Sequence, residues 1–418
     1  MAEEGGALEG LRVLELGSFI AGPFAGQLLG DHGADVIKVE PPGAGDPMRR
    51  WGVCRDGRSL WWPAIARNKR SVAVDLRRDE GREVVRRLAA RCDVVIENFT
   101  PGRLAGWGLG YGELAAGNPG LVLTHVSGFG QTGPRAGDPG FGSVGEAMGG
   151  IRHTTGWPDR PSTRTGVSLG DALAALFAIV GTLAALHERE RSGRGQEVDV
   201  ALYEAVFAVM ESLLADHEIG GVVRGRAGST LPGVAPSNVY PTADGHDVLV
   251  AANADALFRR LCDAMGRPEL GDDPRFATHG ARGEHQDELD EVIAGWTATL
   301  GLAELRRTLD EHAVPNGLIY TAPDILADDH YAAREMIERL HDAGLGRLVP
   351  MAGVVPKLSR TAGRVRGVGP ELGEHTEEVL VEVGGYRPEE VARLVADGAV
   401  ASRCPTGSTG STGKESDP

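Results

Sequence analysis

The chain has 418 residues, of which 41% are hydrophobic and 24% charged, a composition typical of a soluble globular protein with about two domains. Its formal net charge of -16 argues against nucleic acid or an anionic membrane as a partner, because like charges repel. The four cysteines lack the spacing of a zinc site or a disulfide framework. Together with an acidic N-terminus that does not resemble an export signal, this predicts a cytoplasmic protein without a metal site.

The first third of the chain alternates short apolar runs with helical patterns. Helices are predicted at residues 24–31 and 80–90. Strands are predicted at residues 13–16, 35–39, 71–76, 93–96 and 121–126. Because parallel strands need a helix to return the chain to the same edge, this order predicts an α/β fold with a doubly wound, mostly parallel, Rossmann-like sheet.

Loops rich in glycine and proline follow these strands. They comprise residues 17–23, 40–50, 97–104 and 127–134. Sheets of this kind bind ligands beyond the carboxyl ends of their strands, so these loops are the predicted ligand site.

Further along, the most apolar stretch covers residues 172–186. At about 1.5 Å per residue it spans roughly 22 Å, too short for a bilayer core of about 30 Å, which predicts a buried core helix. A strand in residues 193–200 and a helix over residues 201–214 are predicted to follow.

The composition also suggests domain boundaries. A large α/β domain is predicted for residues 1–220 and, after a stretch rich in glycine and arginine, a small α+β domain for residues 221–325. The turn at Asp244 and Gly245 between two alternating runs predicts a hairpin in this small domain. Residues 326–400 are expected to return to the large domain, and residues 401–418 to be disordered.

Asp171 is the candidate reactive side chain. It follows Gly170 and opens the apolar helix, where a carboxylate commonly caps the exposed amides and favours the positive end of the helix dipole. A carboxylate that helix amides hold ionised, beside a flexible glycine, can also act as a nucleophile. Capping and catalysis are compatible.

Basic and polar residues in or near the strand-end loops are candidates for ligand binding. Each basic residue alone suits a solvated surface, whereas together they suit a phosphate-bearing ligand. Asn98 and Phe99 directly follow a predicted strand and would present an amide and an aromatic face, or else form an ordinary turn above a core side chain. The candidate binding residues are Lys38, Arg49, Arg50, Lys69, Arg70, Asn98, Phe99 and Arg103.

A dinucleotide site is the main alternative for the first loop. The sequence GSFIAGP lacks the GxGxxG spacing, and Pro23 removes a backbone donor where a pyrophosphate would need one. Glu40 nevertheless lies where a ribose-binding acid is expected, which keeps an NAD-dependent oxidoreductase open. His125 and His153 lack metal-ligand spacing, and each is more typical of a structural histidine.

Several segments in fixed order resemble the class III CoA-transferase family, which also contains the formyl-CoA transferases and the α-methylacyl-CoA racemases. The likeness extends to about residue 385. The segments are LRVLELGSFIAGPFAGQLLGDHGADVIKVEPPGAGDPMR, NKRSVAVDL, DVVIENFTPGRL, GFGQTGP, TGVSLGD, SGRGQEVDVALYE and GPELGEHTEEVL.

The resemblance implies roles for particular residues. The nucleophilic aspartate of the family matches Asp171, and its CoA site matches the surroundings of residues 38–46, 68–70 and 98–103. It also implies coenzyme A as a substrate, without a permanently bound cofactor. Family members form interlocked homodimers, whose active site lies between the large domain of one subunit and the small domain of its partner.

Departures from the family pattern refine the expected activity. Racemase members have a His-Asp pair in the loop that matches residues 138–143, where this chain has Pro-Gly-Phe-Gly. Without an imidazole there, CoA transfer is favoured over racemisation. The glycine-run lid of formyl-CoA transferases is also missing, which disfavours oxalate, and APSNVYPTADG resembles members that act on succinyl-CoA and hydroxylated or dicarboxylic acids.

The resulting hypothesis is CoA transfer through an anhydride and then a CoA thioester of Asp171. Three alternatives remain at this stage. They are an acyl-CoA racemase or epimerase, an NAD-dependent oxidoreductase, and a non-catalytic CoA-binding protein.

Overall fold

A computed structural model describes residues 5–402 of the chain. Of the predicted disordered tail, residues 403–418 therefore lie outside the described residues. In chain order the strands are β1 (Arg12–Glu15), β2 (Asp35–Glu40), β3 (Cys54–Arg55), β4 (Arg58–Ser59), β5 (Lys69–Val74), β6 (Val94–Glu97), β7 (Val122–Ser127), β8 (Glu197–Ala201), β9 (Ser237–Pro241), β10 (Asp247–Ala251), β11 (Asn316–Leu318), β12 (Ile337–Asp342), β13 (Arg347–Ala352) and β14 (Val400–Ala401).

The helices occupy the connections between these strands. They are α1 (Ala21–Asp31), α2 (Trp62–Ile65), α3 (Asp79–Ala89), α4 (Arg103–Gly106), α5 (Tyr111–Gly117), α6 (Gly142–Met148), α7 (Ile151–Thr154), α8 (Leu169–Ser192), α9 (Leu202–Phe207), α10 (Leu213–Glu218), α11 (Asp255–Ala264), α12 (His279–Glu284), α13 (Gln286–Thr297), α14 (Leu302–Glu311), α15 (Ala322–Ala327), α16 (Asp329–Ala333), α17 (Thr376–Glu382) and α18 (Pro388–Ala396). Short 3₁₀ turns occur at Pro47–Arg50 and Pro268–Gly271.

The central sheet has the order β14-β5-β2-β1-β6-β7-β8. All neighbouring strands are parallel except β14, which pairs antiparallel with β5 at one edge. The predicted mostly parallel α/β sheet is confirmed. Leaving β14 aside, the strand order reverses between β1 and β6, and a crevice for a ligand is expected beyond the carboxyl ends of these two strands.

Apolar layers cover both faces of this sheet. On one face, α3 and α17 contribute Val84, Leu88 and Val379 to a core that also contains sheet residues. On the other face, α1 and α8 pack through small side chains, among them Ala25 and Ala174. Small residues at this interface allow α8 to approach the sheet closely.

Helix α8 is longer than the sequence predicted. It has 24 residues and ends at Gly193, which has a φ of 72°. At about 1.5 Å per residue the whole helix spans roughly 36 Å. The predicted apolar stretch, residues 172–186, is its central part, and the charged run after Leu186 continues the helix. By length and composition α8 is a candidate membrane span, the one such helix within residues 5–402.

Contacts within the described residues divide the chain into two compact units. The first comprises the residues up to Gly149, Ser168–Met210 and the residues from Ala332 onward, and it contains the central sheet. The second comprises Gly150–Val167 and Glu211–Tyr331.

The second unit is built on a three-stranded antiparallel sheet of order β11-β10-β9. The predicted hairpin is confirmed, since β9 and β10 pair antiparallel on either side of Gly245, which has a φ of 80°. Helices α11, α13 and α14 cover the sheet with a core that includes Phe258, Leu289 and Leu305. The unit therefore has an apolar core of its own.

Candidate active site

Asp171 is the third residue of α8, in its first turn. The helix begins after Ser168, whose carbonyl oxygen accepts a hydrogen bond from the Ala172 amide at 3.0 Å. The carboxylate thus lies at the positive end of the helix dipole, as its sequence position predicted.

A cavity of about 450 Å³ opens in front of Asp171 within the first unit. It lies beyond the carboxyl ends of β1, β6 and β7, where the reversal of strand order predicts a ligand crevice. The lining residues are Ser18, Phe19, Ala21, Asn98, Phe99, Thr100, Pro101, Arg103, Val126, Ser127, Gly128, Asp138, Pro139, Gly140, Phe141, Asp171 and Leu202.

Close backbone approach fixes the position of the Asp171 carboxylate. Gly142, the first residue of α6, packs against this carboxylate so tightly that a β-carbon on Gly142 would overlap it. A β-carbon on Gly170 would lie 2.8 Å from the carbonyl oxygen of Gly142. The Gly170 amide also donates a 3.4 Å hydrogen bond to Oε1 of the buried Glu146. The starts of α6 and α8 are therefore held together through glycine.

A two-way hydrogen bond joins the loops after β1 and β6. Asn98 Oδ1 accepts from the Ser18 amide and Asn98 Nδ2 donates to the Ser18 carbonyl oxygen, both at 2.8 Å. Both polar atoms of the Asn98 side chain are thus occupied by hydrogen bonds within the protein. The turn that follows places Phe99 and Arg103 in the cavity wall, and both pack on Trp107.

The loop after β7 forms another edge of the cavity. Gly128 packs directly on Gly140, since a β-carbon on either would lie within 2.7 Å of the other's α-carbon. The Gly130 amide donates to Ser127 Oγ at 2.9 Å, and Gly130 has a φ of 87°. Glycine at these positions allows backbone amides to reach the cavity edge.

The structure brings together part of the predicted site. Asp171, Asn98, Phe99 and Arg103 line one cavity. Five other predicted binding residues, Lys38, Arg49, Arg50, Lys69 and Arg70, are not among its lining residues. Protein groups surround all of these except the exposed Arg50. Their contact with CoA stays a prediction.

Lys38 and Lys69 are buried in a shared ion network. Lys38 Nζ lies 2.8 Å from both Glu15 and Asp46 and donates to the Gly17 carbonyl oxygen at 2.9 Å. Lys69 Nζ lies 2.7 Å from Glu15. Burial by itself would lower the pKa of Lys38, but Glu15 and Asp46 outweigh it and raise that pKa, whereas burial dominates at Lys69 and lowers its pKa. Direct contact with a ligand would require this network to open.

Arg49 and Arg70 also have protein partners. Arg49 binds both carboxylate oxygens of Glu40 at 2.7 Å and stacks on Trp62. Burial would raise the pKa of Glu40, but Arg49 reverses this and lowers it. Arg70 pairs with Asp35 at 2.6 Å. A basic residue near a strand end looks alike in sequence whether it faces a ligand or a carboxylate on a neighbouring strand, which is why sequence could not separate them.

Sequence reasoning placed several cavity residues in the predicted ligand loops without giving them individual roles. Phe19 has a φ of 64°, unusual for a residue with a side chain, and its ring packs edge-on against Trp51 and Phe141. No sequence signal indicated this aromatic wall. Residues 5–402 contain no cluster of three or more His, Cys, Asp or Glu side chains that could hold a metal ion.

These features define a doubly wound α/β enzyme with a carboxylate in its switch-point cavity. The chain belongs to CoA-transferase family III, whose family model matches residues 8–376. It is accordingly a CoA-transferase, which confirms the resemblance in the sequence and removes the nicotinamide alternative.

The similar proteins support this assignment. Over 390 residues the chain is 56% identical to succinyl-CoA–D-citramalate CoA-transferase of Chloroflexus aurantiacus, covering 93% of this chain and 97% of that one. It is 41% identical to the beta subunit of succinyl-CoA–L-malate CoA-transferase of the same organism, over 93% and 96% of the two chains. A crystal structure of a CaiB/BaiF family protein from Brucella suis superposes with a TM-score of 0.79 at 36% identity, over 91% of this chain and 100% of that one.

Proposed function

We propose that this enzyme transfers CoA from succinyl-CoA to a branched hydroxydicarboxylate of the citramalate type. The observation that carries the proposal is the 56% identity to a D-citramalate CoA-transferase along nearly the whole of both chains. The relative that acts on L-malate, at 41% identity, also has a name that pairs succinyl-CoA with a hydroxydicarboxylate. Donor and acceptor would thus be small dicarboxylic acids.

We propose Asp171 as the nucleophile. Its carboxylate attacks the thioester carbonyl of succinyl-CoA, which gives a succinyl-aspartyl anhydride and releases CoA thiolate. The thiolate attacks the Asp171 carbonyl, so that succinate leaves and an aspartyl-CoA thioester forms. The acceptor carboxylate then displaces CoA thiolate to form a second anhydride. Attack of the thiolate on the acceptor acyl carbon yields the new CoA thioester and restores Asp171.

The surroundings of Asp171 suit this chemistry. The start of α8 favours the ionised nucleophile, and amides near Ser127 and Gly128 lie at the cavity edge, where they would stabilise an oxyanion. Apolar lining from Phe19, Phe141 and Leu202 would limit the water that hydrolyses anhydrides.

We propose that the CoA arm enters past the turn after β6. Phe99 and Arg103 lie in the wall of the same cavity as Asp171. Arg103 is exposed, and its guanidinium stacks over the Trp107 ring. The N–H groups lie in the guanidinium plane, so the stacking leaves them available for a phosphate.

Transfer is favoured over racemisation at this cavity. Its wall contains Phe141 in the loop where racemase members are expected to have a histidine. An aromatic hydrocarbon cannot exchange a proton with an acyl α-carbon, so a two-base mechanism would lack one partner there.

We also propose a homodimer, interlocked as the family resemblance implies. Helix α8 exposes large apolar side chains at helical spacing, namely Leu176, Phe177, Val180 and Leu183, whose exposed fractions range from 38% to 64%. A contiguous apolar stripe of this kind is typical of a covered surface, and a second copy of the chain would cover it.

We propose a cytoplasmic location as well. Cys54, Cys92 and Cys262 are free thiols. Burial raises the pKa of Cys262 to about 11, which keeps this thiol protonated. Free cysteines suit a reducing compartment.

An acceptor panel tests the proposed function. Purified enzyme with succinyl-CoA would be offered D-citramalate, L-malate, glutarate, mesaconate and acetate, and the acyl-CoA products separated by chromatography. We expect D-citramalate to give the highest kcat/KM, at least roughly tenfold above acetate. If none of the dicarboxylates accepted CoA, the proposal would be overturned. Deuterium uptake at the acyl α-carbon without an acceptor would instead support a racemase.

A further inference from the structure

We propose that His125 is a positioning residue for the CoA-binding turn: it holds Glu97 on the backbone amide of Phe99 and thereby sets the cavity wall. The inference rests on the proposed function, because it concerns the cavity that we assign to acyl-CoA. It gives a role to a side chain that the sequence left as an ordinary structural histidine.

The geometry places His125 between two carboxylates on neighbouring strands. His125 lies in β7, opposite Glu97 at the end of β6. Its Nδ1 is 2.5 Å from Glu97 Oε1, and its Nε2 is 3.2 Å from Glu197 Oε1 at the start of β8. Glu97 and His125 are buried, whereas the Glu197 side chain is 53% exposed.

Glu97 links this pair to the cavity. Its second oxygen, Oε2, accepts a hydrogen bond from the Phe99 amide at 2.6 Å. The adjacent Asn98 is held on Ser18, so the turn is fixed from the first loop on one side and from Glu97 on the other. A change at Glu97 would therefore move the wall that Phe99 and Arg103 form.

Charge explains why a histidine is required here. A neutral imidazole has one N–H and can donate to one of the two carboxylates, whereas an imidazolium donates to both. A buried carboxylate such as Glu97 is also stabilised by a neighbouring cation, because an unpaired buried charge is costly. Burial by itself would lower the pKa of His125, but Glu97 and Glu197 outweigh it and raise that pKa.

Other charged groups flank the pair. Asp199 lies opposite His125 in β8, where its Oδ2 accepts the Gln131 amide at 2.8 Å. Tyr111 of α5 lies near enough to Glu197 and to Arg194 for both charges to act on it. Because the pKa of His125 is raised, the stabilisation that its imidazolium provides is complete below the ordinary histidine pKa. This stabilisation is lost as the pH rises through the raised value.

Kinetics and binding of three variants test the role. In His125→Leu we expect KM for succinyl-CoA and Kd for CoA to rise roughly tenfold, with kcat changed less than about threefold, because the effect is on binding geometry. His125→Asn retains a neutral donor near the Nδ1 position. Its KM and Kd should therefore rise less than those of His125→Leu. His330→Gln, at an exposed histidine of α16, serves as the control and should match the wild type.

A pH profile separates this role from a purely structural one. We expect wild-type KM for succinyl-CoA to rise as the pH passes upward through the raised pKa of His125. Glu197 is half-exposed, so the Glu197→Gln variant should fold. It lacks one carboxylate beside His125, and the rise in KM should therefore occur at lower pH. An unchanged profile in Glu197→Gln, or unchanged KM and Kd in folded His125→Leu, would overturn the inference.

The failure of the proposed function would look different. Wild-type enzyme that binds CoA without transferring it would contradict the function, while the CoA titrations of the His125 variants would still decide the inference.

Discussion

Gly142 packs against the carboxylate of Asp171, so that even a methyl group on Gly142 would occupy the space of Oδ2. The position of the proposed nucleophile thus depends on backbone contact between the starts of α6 and α8. A side chain at this contact would push the carboxylate toward the cavity or rotate it away.

Gly142→Ala is therefore expected to lower kcat severely. A displacement of about 1 Å at a reacting group can reduce the rate roughly 100-fold. Steady-state kinetics with succinyl-CoA and the best acceptor would measure the effect. Gly112→Ala is the matched control, since Gly112 lies in α5 and a β-carbon there meets no atom within 4 Å. Near-normal kcat in Gly142→Ala would show that the contact does not control the nucleophile.

Asn98→Ala is expected to raise KM for succinyl-CoA about tenfold or more, because both hydrogen bonds between the loops after β1 and β6 are lost. Asn118→Ala provides a comparison. Asn118 also bonds backbone carbonyls, those of Ala89 and Cys92, but it does not line the cavity. Its loss should lower the melting temperature without raising KM. Equal KM changes in the two variants would contradict the proposed clamp.

Arg49→Met is expected to destabilise the protein, because it leaves the buried Glu40 without its main cationic partner. Loss of one member of a buried pair costs about 3–5 kcal/mol, and the remaining bond from Ser71 to Glu40 favours the lower end. The measurement is unfolding in urea at several pH values.

The pH dependence of this loss has a definite sign. The lowered pKa of Glu40 stabilises the fold above the ordinary carboxyl pKa, and this contribution disappears as the pH falls through the lowered value. The difference between wild type and Arg49→Met should thus be large at neutral pH and shrink in acid. Arg77→Met is the control, since Arg77 is 86% exposed beside Asp75 and should contribute little. A difference independent of pH would argue against the ion pair as its cause.

The double variant Val180→Glu and Leu183→Glu is expected to weaken the proposed homodimer, because charges would enter the apolar stripe on α8. Sedimentation velocity would show a shift from dimer toward monomer with dilution. Leu348→Glu, at an exposed apolar residue of β13, tests whether any surface charge has this effect. A monomeric wild-type protein would contradict the proposal outright.

Much of the fold follows from local sequence patterns. The runs that became β1, β2 and β6 are short and apolar and stand between helical patterns, so a parallel sheet was predictable. The predicted helix over residues 201–214 is instead split into α9 and α10, with Glu211 at a φ of 56° between them. Its apolar content fits one helix, and the local pattern does not mark the interruption.

The site was predictable only in part for a similar reason. Asp171 and Asn98 were identified because they directly border a helix start and a strand end. Lys38 lies inside β2 and Lys69 begins β5, and their side chains enter the buried network around Glu15. Which face of the sheet a side chain occupies, and which carboxylate lies beside it, depend on the pairing of strands that are distant in sequence. A local pattern does not contain this information. The contact between Gly142 and Asp171 is hidden in sequence for the same reason.

If Asp171 is the nucleophile, CoA should become covalently attached to it during turnover. Enzyme would be mixed with succinyl-CoA without an acceptor, quenched in acid and digested, and the peptides analysed by mass spectrometry. We expect the peptide that contains Asp171 to carry a CoA thioester, and the same peptide from Asp171→Asn, which should still bind CoA, to carry none. Undiminished transfer by Asp171→Asn, or an adduct on another residue, would contradict the account.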